Sequence, residues 1–245
     1  MQTQINYLGR HYKTNLAKPI DLSYTYGEAE VPEAWGVEPV KIEPFKAGDF
    51  VGAVKEGASV NFFNISFNPH GNGTHTECFG HISAAHEALT LSQFHFVSRV
   101  VSLAPEVVNG DFIVRLQKLK EKIKSWNIEA LIVHVPWDNL KYTGSNPPYF
   151  EAELLAFISE MGVQHFLTNM PSVDREDDGG KLAAHKAFWD FPAAPRNGCT
   201  ITEMIKIPQD VCEGLYLLNL QVAPFKNDAA PSRPLIYPLE EIKLT

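Results

Sequence analysis

The chain has 245 residues, 44% of them hydrophobic, which suits one large domain or two small ones and leaves ample material for a core. Its formal net charge of −8 argues against nucleic acid as the main partner, because phosphate binding needs a basic face. No apolar run approaches the length of a membrane span, so no membrane partner is expected, and three cysteines that cannot all pair within the chain fit a reduced, cytoplasmic protein.

Taken in order, Met1-Gln2-Thr3-Gln4-Ile5-Asn6 lacks a basic stretch followed by an apolar core, and no signal peptide is expected. Residues 1–60 carry many prolines and glycines and little helical period. Pro19-Ile20-Asp21-Leu22-Ser23 reads as a short strand after a turn. Trp35, Phe45 and Phe50 sit among turn residues, and we expect this aromatic, loop-rich segment to wall a pocket rather than simply pack on the core. Residues 60–67, Val-Asn-Phe-Phe-Asn-Ile-Ser-Phe, are rich in strand formers, and Asn68-Pro69 ends them.

The next twelve residues, His70-Gly71-Asn72-Gly73-Thr74-His75-Thr76-Glu77-Cys78-Phe79-Gly80-His81, hold three of the nine histidines and one carboxylate. Imidazole and carboxylate are the donors that zinc, manganese or iron prefer. If residues 74–77 are extended, His75 and Glu77 share a face, because side chains alternate along a strand. His70 can swing in across the Gly71-Asn72-Gly73 turn. His81, past Gly80, is either a fourth ligand or a free acid/base beside a metal. Cys78 is near enough to suggest a thiol nucleophile, but buried cysteine usually packs as a small hydrophobe, and we expect that here. His11, His86, His95, His134 and His165 stand apart from the cluster and read as structural.

Beyond the cluster the period changes. Ile113, Leu116, Leu119 and Ile123 recur at three- and four-residue steps, as in an amphipathic helix. Ala130-Leu131-Ile132-Val133-His134-Val135 reads as a buried strand. Phe150, Leu154, Phe157, Ile158 and Met161 predict a second helix ending at Gly162. Residues 163–168 follow as a strand, 181–189 as a third helix, and 214–222 as a late strand. Such alternation points to an α/β arrangement. Asp174-Arg175-Glu176-Asp177-Asp178 is a charge run whose last four residues read as a solvated turn, while Asp174 is left open. No repeat, linker or low-complexity tract interrupts the chain, so residues 1–245 are taken as a single domain.

The histidine cluster resembles the His-x-Gly-Thr-His-x-Asp-x-Pro-x-His signature of the metal-dependent cyclase family, which includes bacterial kynurenine formamidase and isatin hydrolase. Other segments are similar in the same order. Pro19-Ile20-Asp21-Leu22-Ser23 resembles the family's opening Asp-Leu-Ser strand, and Met170-Pro171-Ser172-Val173-Asp174 its Thr-Pro-Ser-Val-Asp segment. Ala184-His185-Lys186 and Thr200-Ile201-Thr202-Glu203-Met204-Ile205 resemble two later ligand-bearing segments. Residues 224–234 resemble the closing Asp-Gly-Ser-Pro-x-Arg stretch. The likeness spans nearly the whole chain. It departs from the pattern where His70 and His75 stand five apart instead of four, where Glu77 replaces aspartate, where Phe79 replaces proline, where the stretch between His185 and Glu203 is longer, and where Met204 replaces asparagine.

The resemblance implies a swivelling β/β/α domain with a mixed twisted sheet flanked by helices. It implies His70, His75, Glu77, His185 and Glu203 as ligands of one or two divalent metal ions, zinc or manganese. It implies His81 as the catalytic acid/base of a hydrolase cleaving a carbon–nitrogen amide bond in a formamide or small cyclic amide. A small-molecule substrate and a homo-oligomer are expected. Two rival expectations use the same site: a lactone or ester hydrolase, and a family member that binds a ligand or partner without chemistry.

Overall fold

The computed structural model describes residues 1–242, so the last three residues of the span assigned to the domain lie outside the described residues. Nine strands build the largest sheet. They are β1 (Ile20–Asp21), β2 (His75–Glu77), β3 (His95–Ser102), β4 (Ala130–His134), β5 (His165–Thr168), β6 (Thr200–Glu203), β7 (Gly214–Asn219), β8 (Ala229–Pro231) and β9 (Leu235–Pro238). Their order across the sheet is β8-β2-β6-β5-β4-β3-β7-β9-β1. The central pairs β6-β5, β5-β4 and β4-β3 are parallel. Both flanks are antiparallel.

Parallel neighbours need crossovers, and helices supply them. Helix α1 (Leu116–Lys122) lies between β3 and β4, α2 (Ala152–Glu160) between β4 and β5, and α3 (Ala183–Trp189) between β5 and β6. Leu131, Val133, Phe166 and Ile201 pack with Leu119, Leu154, Ile158 and Phe188 of the helices. The alternate residues Ala130, Ile132 and Leu167 pack on the opposite face with Leu22, Leu218 and Ile236. Both faces of the central strands are therefore buried, which is why residues 130–133 read as an unbroken apolar run. The result is the mixed α/β sheet with flanking helices expected from the sequence.

The sequence expectations overshoot at the helix starts. Ile113 lies in a strand, Asp111–Val114, and Phe150 in another, Tyr149–Phe150. These two strands pair in parallel, which removes their residues from the helical phase. Helix α1 begins where the Glu151 carboxylate accepts the Leu116 amide at 2.9 Å. Residues 60–67 are extended as expected, but Phe63–Ser66 pairs with Lys41–Pro44 in a separate, exposed ribbon. At the N-terminus an unexpected hairpin, Gln2–Tyr7 with Arg10–Asn15, also pairs with Glu240–Ile242. Its first strand alternates only between exposed and half-buried residues, so it carries no strong hydrophobic period. Among the described residues no helix is long and apolar enough to cross a membrane.

Leu131 is fully buried between sheet and helices, whereas Ile42 on the ribbon is 49% exposed. Leu131→Ala should cost about 2–5 kcal/mol in chemical unfolding. Ile42→Ala should cost less than about 1 kcal/mol. Equal losses at the two positions would place the core wrongly.

Candidate metal centre

Strand pairing creates the centre. His75 and Glu77 lie two apart on β2 and share one face. In the antiparallel pairing with β6, Glu203 stands opposite His75, and Ile201 opposite Glu77. Glu203 therefore falls on the same face. Thr76 and Thr202 point the other way, with their hydroxyls 2.8 Å apart. Ile201 belongs to the helix-side core, so this is the face that α3 covers, and α3 adds His185. His70 arrives from the turn before β2. His81 arrives from the short 3-10 turn Phe79–Ile82. Gly80 is required in that turn, because a Cβ there would strike the backbone carbonyl of Glu87.

The structure thus brings together all six residues expected at the site. Glu77 is the hub. Its Oε1 lies 3.2 Å from His185 Nε2, and its Oε2 lies 3.1 Å from His70 Nδ1 and 3.9 Å from His81 Nδ1. Glu203 Oε2 lies 3.4 Å from His75 Nε2, and its Oε1 lies 3.9 Å from His185 Nε2. Two donor triads with mutual distances within 4.8 Å result, His70-Glu77-His81 and His75-Glu77-Glu203, and they share Glu77.

Four buried donor atoms make no hydrogen bond: His75 Nε2, His185 Nε2 and both Glu77 oxygens. A buried carboxylate without hydrogen bonds is costly unless something positive completes it. Imidazole nitrogens and carboxylate oxygens converging in this way fit a divalent cation. The far ring nitrogens are already occupied, as in known metal sites. His75 Nδ1–H donates to the Gly73 carbonyl at 3.0 Å, and His185 Nδ1 lies 2.6 Å from Asp174 Oδ2. Asp174 also accepts the amides of Ala184 and His185, fixing α3 and its histidine together.

The electrostatics follow from this packing. Burial alone would depress His185 and His70. Asp174 and Glu77 outweigh it at His185, Asp228 and Glu77 outweigh it at His70, and each imidazole rises to about 10. Burial alone would raise Glu77, but His81, His185 and His70 hold it well below the usual carboxylate range. Glu203 is raised by burial and by the neighbouring Glu77 charge. Burial pushes the Cys78 thiol up to about 11, and its Sγ donates to the Glu87 carbonyl, and both favour the protonated thiol.

Two carboxylates escaped sequence reading as site residues. Asp174 stays open in the sequence, and its signal is its place at the end of the Met170-Pro171-Ser172-Val173-Asp174 segment. Asp228 was not singled out, although it lies in the closing stretch, and its Oδ2 sits 2.9 Å from His70 Nε2. His86, read as structural, meets Asp228 Oδ1 at 2.9 Å on the outer edge of the site. A cavity of about 350 Å³ opens onto His70, His81, His185 and Glu203. Trp35 lines it as expected. Phe45 does not, since it packs on Phe62 with ring centroids 5.1 Å apart, and Phe50 lies outside the lining as well. The last four residues of the charge run are exposed or half-buried, as expected of a solvated turn, and Arg175, Glu176 and Asp178 also wall this cavity. A larger space of about 870 Å³ lies beside the N-terminal hairpin, but it gathers no imidazole donors.

The sequence model of the cyclase family matches residues 20–175. The chain belongs to the cyclase family. Kynurenine formamidase from Bacillus mycoides is 30% identical over 92 residues, 38% of this chain, and the match spans about two fifths of that relative's length, 41%. A predicted metal-dependent hydrolase from Bacillus stearothermophilus superposes with a TM-score of 0.63 at 16% identity, covering 90% of this chain and 98% of that one. Isatin hydrolase A from Labrenzia aggregata superposes with a TM-score of 0.63 at 16% identity, covering 90% of this chain and 93% of that one. At these identities the two structures establish the fold of this cyclase-family chain.

The raised histidines make metal-free stability depend on pH in a defined direction. A folded-state pKa above the unfolded value stabilises fully below about 6.5, and that stability is lost as pH rises through the folded value. Metal-free protein should therefore lose stability from near neutrality up to about pH 10, where His70 and His185 deprotonate. Chemical unfolding at a series of pH values measures this. Stability that stays level or climbs across the range would contradict the assignment.

Proposed function

We propose that this protein is a metal-dependent hydrolase of a carbon–nitrogen amide bond in a formamide or a small cyclic amide. The observation that carries the reading is the set of four unpartnered buried donor atoms on His75, His185 and Glu77. The names of the relatives, kynurenine formamidase and isatin hydrolase, support the bond type. His70, His75, Glu77, His185 and Glu203 would hold zinc or manganese, and the shared Glu77 favours two ions over one. A divalent ion there would lower the pKa of water and act as a Lewis acid towards a carbonyl.

The chain's own residues supply the rest. The cavity admits a small molecule, with Trp35 and Val37 as apolar lining and Ser172 and Arg175 as polar lining. His81 lines the cavity with its side chain 31% exposed and its Nδ1 turned towards Asp228. It takes one proton from the attacking water and gives one to the leaving nitrogen. The carbon–nitrogen bond breaks as the carbonyl carbon gains the hydroxyl of water and the nitrogen gains its hydrogen. No acyl-enzyme forms, in keeping with the raised Cys78 thiol. We place the protein in the cytoplasm as a homo-oligomer acting on a small molecule. Three cysteines without a disulfide among the described residues are compatible with that compartment.

His75→Ala and Glu77→Ala should lose metal and activity together, while Cys78→Ser keeps substantial activity. His81→Ala should keep its metal and its melting temperature yet lose about 10²–10⁴-fold in turnover. Metal content, thermal melting and hydrolysis of a panel containing an aryl formamide, a cyclic amide and an ester decide this. Turnover of the ester alone would move the reading to carbon–oxygen bonds. Failure of any substrate to turn over with metal bound would favour a non-catalytic binder. A dead Cys78→Ser with normal metal would replace the mechanism by a thiol one.

A further inference from the structure

Asp228 is a buried carboxylate whose partners are unusual. Its residue is 6% exposed. Its Oδ2 lies 2.9 Å from His70 Nε2 and 3.5 Å from His81 Nδ1, and its Oδ1 lies 2.9 Å from His86 Nε2. Among the described residues, its ion-pair partners are all imidazoles, and no backbone amide donates to its carboxylate. Asp174 differs, because it also accepts two backbone amides and so anchors a helix whatever else it does. The Asp228 carboxylate serves histidines alone.

Its place is fixed from the chain side. Ala229, the next residue, is the register partner of Glu77. The Asp228 carbonyl accepts the Cys78 amide at 3.0 Å. The carboxylate is thus tied to the two residues that lead from β2 towards His81. The rings of His70 and His81 lie 4.3 Å apart, tilted by 32°, so one carboxylate oxygen reaches both.

We infer that Asp228 is the positioning residue that sets the tautomers of both His70 and His81. The inference rests on the reading above, in which His70 binds the metal and His81 moves the proton. An ionised carboxylate only accepts hydrogen bonds, so the nitrogens that face it carry protons. His70 then holds its proton on Nε2, which leaves Nδ1 as the nitrogen available to a metal beside Glu77. His81 holds its proton on Nδ1 and leaves Nε2 unprotonated, as a general base requires. The same oxygen stabilises the His81 imidazolium once Nε2 has taken a proton. One side chain therefore couples a ligand to the acid/base from the side opposite Glu77, through the far nitrogen of His70.

The test compares parent protein with Asp228→Asn, which keeps shape and removes charge, and with Asp228→Ala. Zinc alone is titrated by calorimetry. Turnover of formanilide is measured at saturating zinc, and nitrogen NMR of zinc-loaded protein reads the histidine tautomers. Asp228→Asn should melt with the parent, bind zinc about 10–100-fold more weakly and lose kcat by a similar factor with little change in KM. His81 should be the Nδ1–H tautomer in the parent and a mixture in the variant. Zinc affinity and kcat within threefold of the parent would overturn the inference. Loss of zinc as complete as in His75→Ala would make Asp228 a ligand instead. Reduced stability with a normal tautomer and a normal rate in the folded fraction would make it an ordinary structural anchor. A parent that takes up no zinc sinks the metal reading and this inference with it, whereas a zinc-binding parent beside an indifferent Asp228→Asn sinks this inference alone.

Discussion

The antiparallel register of β2 against β6 is the constraint on which the centre depends. It stacks His75 opposite Glu203, with Glu77 beside them, on one buried face. Two carboxylates buried so close repel each other, and isolated burial of either would be costly. The fold offsets this with imidazoles drawn from three other places: the turn at His70, the 3-10 turn at His81, and α3 at His185. It also gives Glu203 a neutral donor, the Val173 amide at 3.1 Å. A one-residue slip would exchange this face for the threonine face. The Thr76–Thr202 hydroxyl pair opposes such a slip from the far side of the same two strands.

The turn between His70 and His75 is one residue longer than the family signature, and the structure explains how the extra length is held. The absorbing residue is Asn72 rather than the glycines alone. Asn72 is 2% exposed, its Oδ1 accepts the Asn68 amide at 2.7 Å, and its Nδ2 donates to the Glu38 carbonyl at 3.0 Å. Gly71 is needed for a different reason: a Cβ there would meet Val37 and the Ala34 carbonyl at 2.5–2.9 Å. The turn is therefore packed against the Ala34–Val37 loop, which also delivers Trp35 to the cavity. The longer Glu77 side chain is used in full, since its two oxygens reach His185 on one side and His70 on the other.

The parts legible in the sequence are those where one physical signal acts alone. Residues 130–133 are apolar because both faces of β4 are buried, and β5 and α3 fall within the stretches their runs predict. The cluster of residues 70–81 was legible because imidazole and carboxylate are rare so close together. His185 and Glu203 are different. Their chemistry depends on a helix and a strand folding against β2, and only the family resemblance brought them in. β3 was missed although it is central, because Ser98 and Arg99 interrupt its apolar run. Ser98 is tolerated there since its hydroxyl donates to the Tyr216 carbonyl at 3.0 Å. Asp228 was invisible for a similar reason: its partners His70, His81 and His86 lie about 140–160 residues away, and no local period records such a contact.

The cavity joins two kinds of wall, and the difference has a physical origin. The inner wall stands on β2, β6 and α3, where donors are buried and their rotamers locked by carboxylate and carbonyl partners. The outer wall is loop. Trp35 has a left-handed backbone, φ 64°, and is 40% exposed. Glu176 spends its carboxylate on the Gly144 and Asn146 amides, and Asp178 on the amides of Gly180, Lys181 and Leu182. These acids read as solvated charge in the sequence, but their oxygens organise the loops that form the mouth. Loops tied by side chains in this way tolerate change better than a sheet register does. A single chemistry on β2, β6 and α3 can therefore stay fixed while the shape of the entrance, and with it the choice of molecule admitted, is altered by residues far from Glu77.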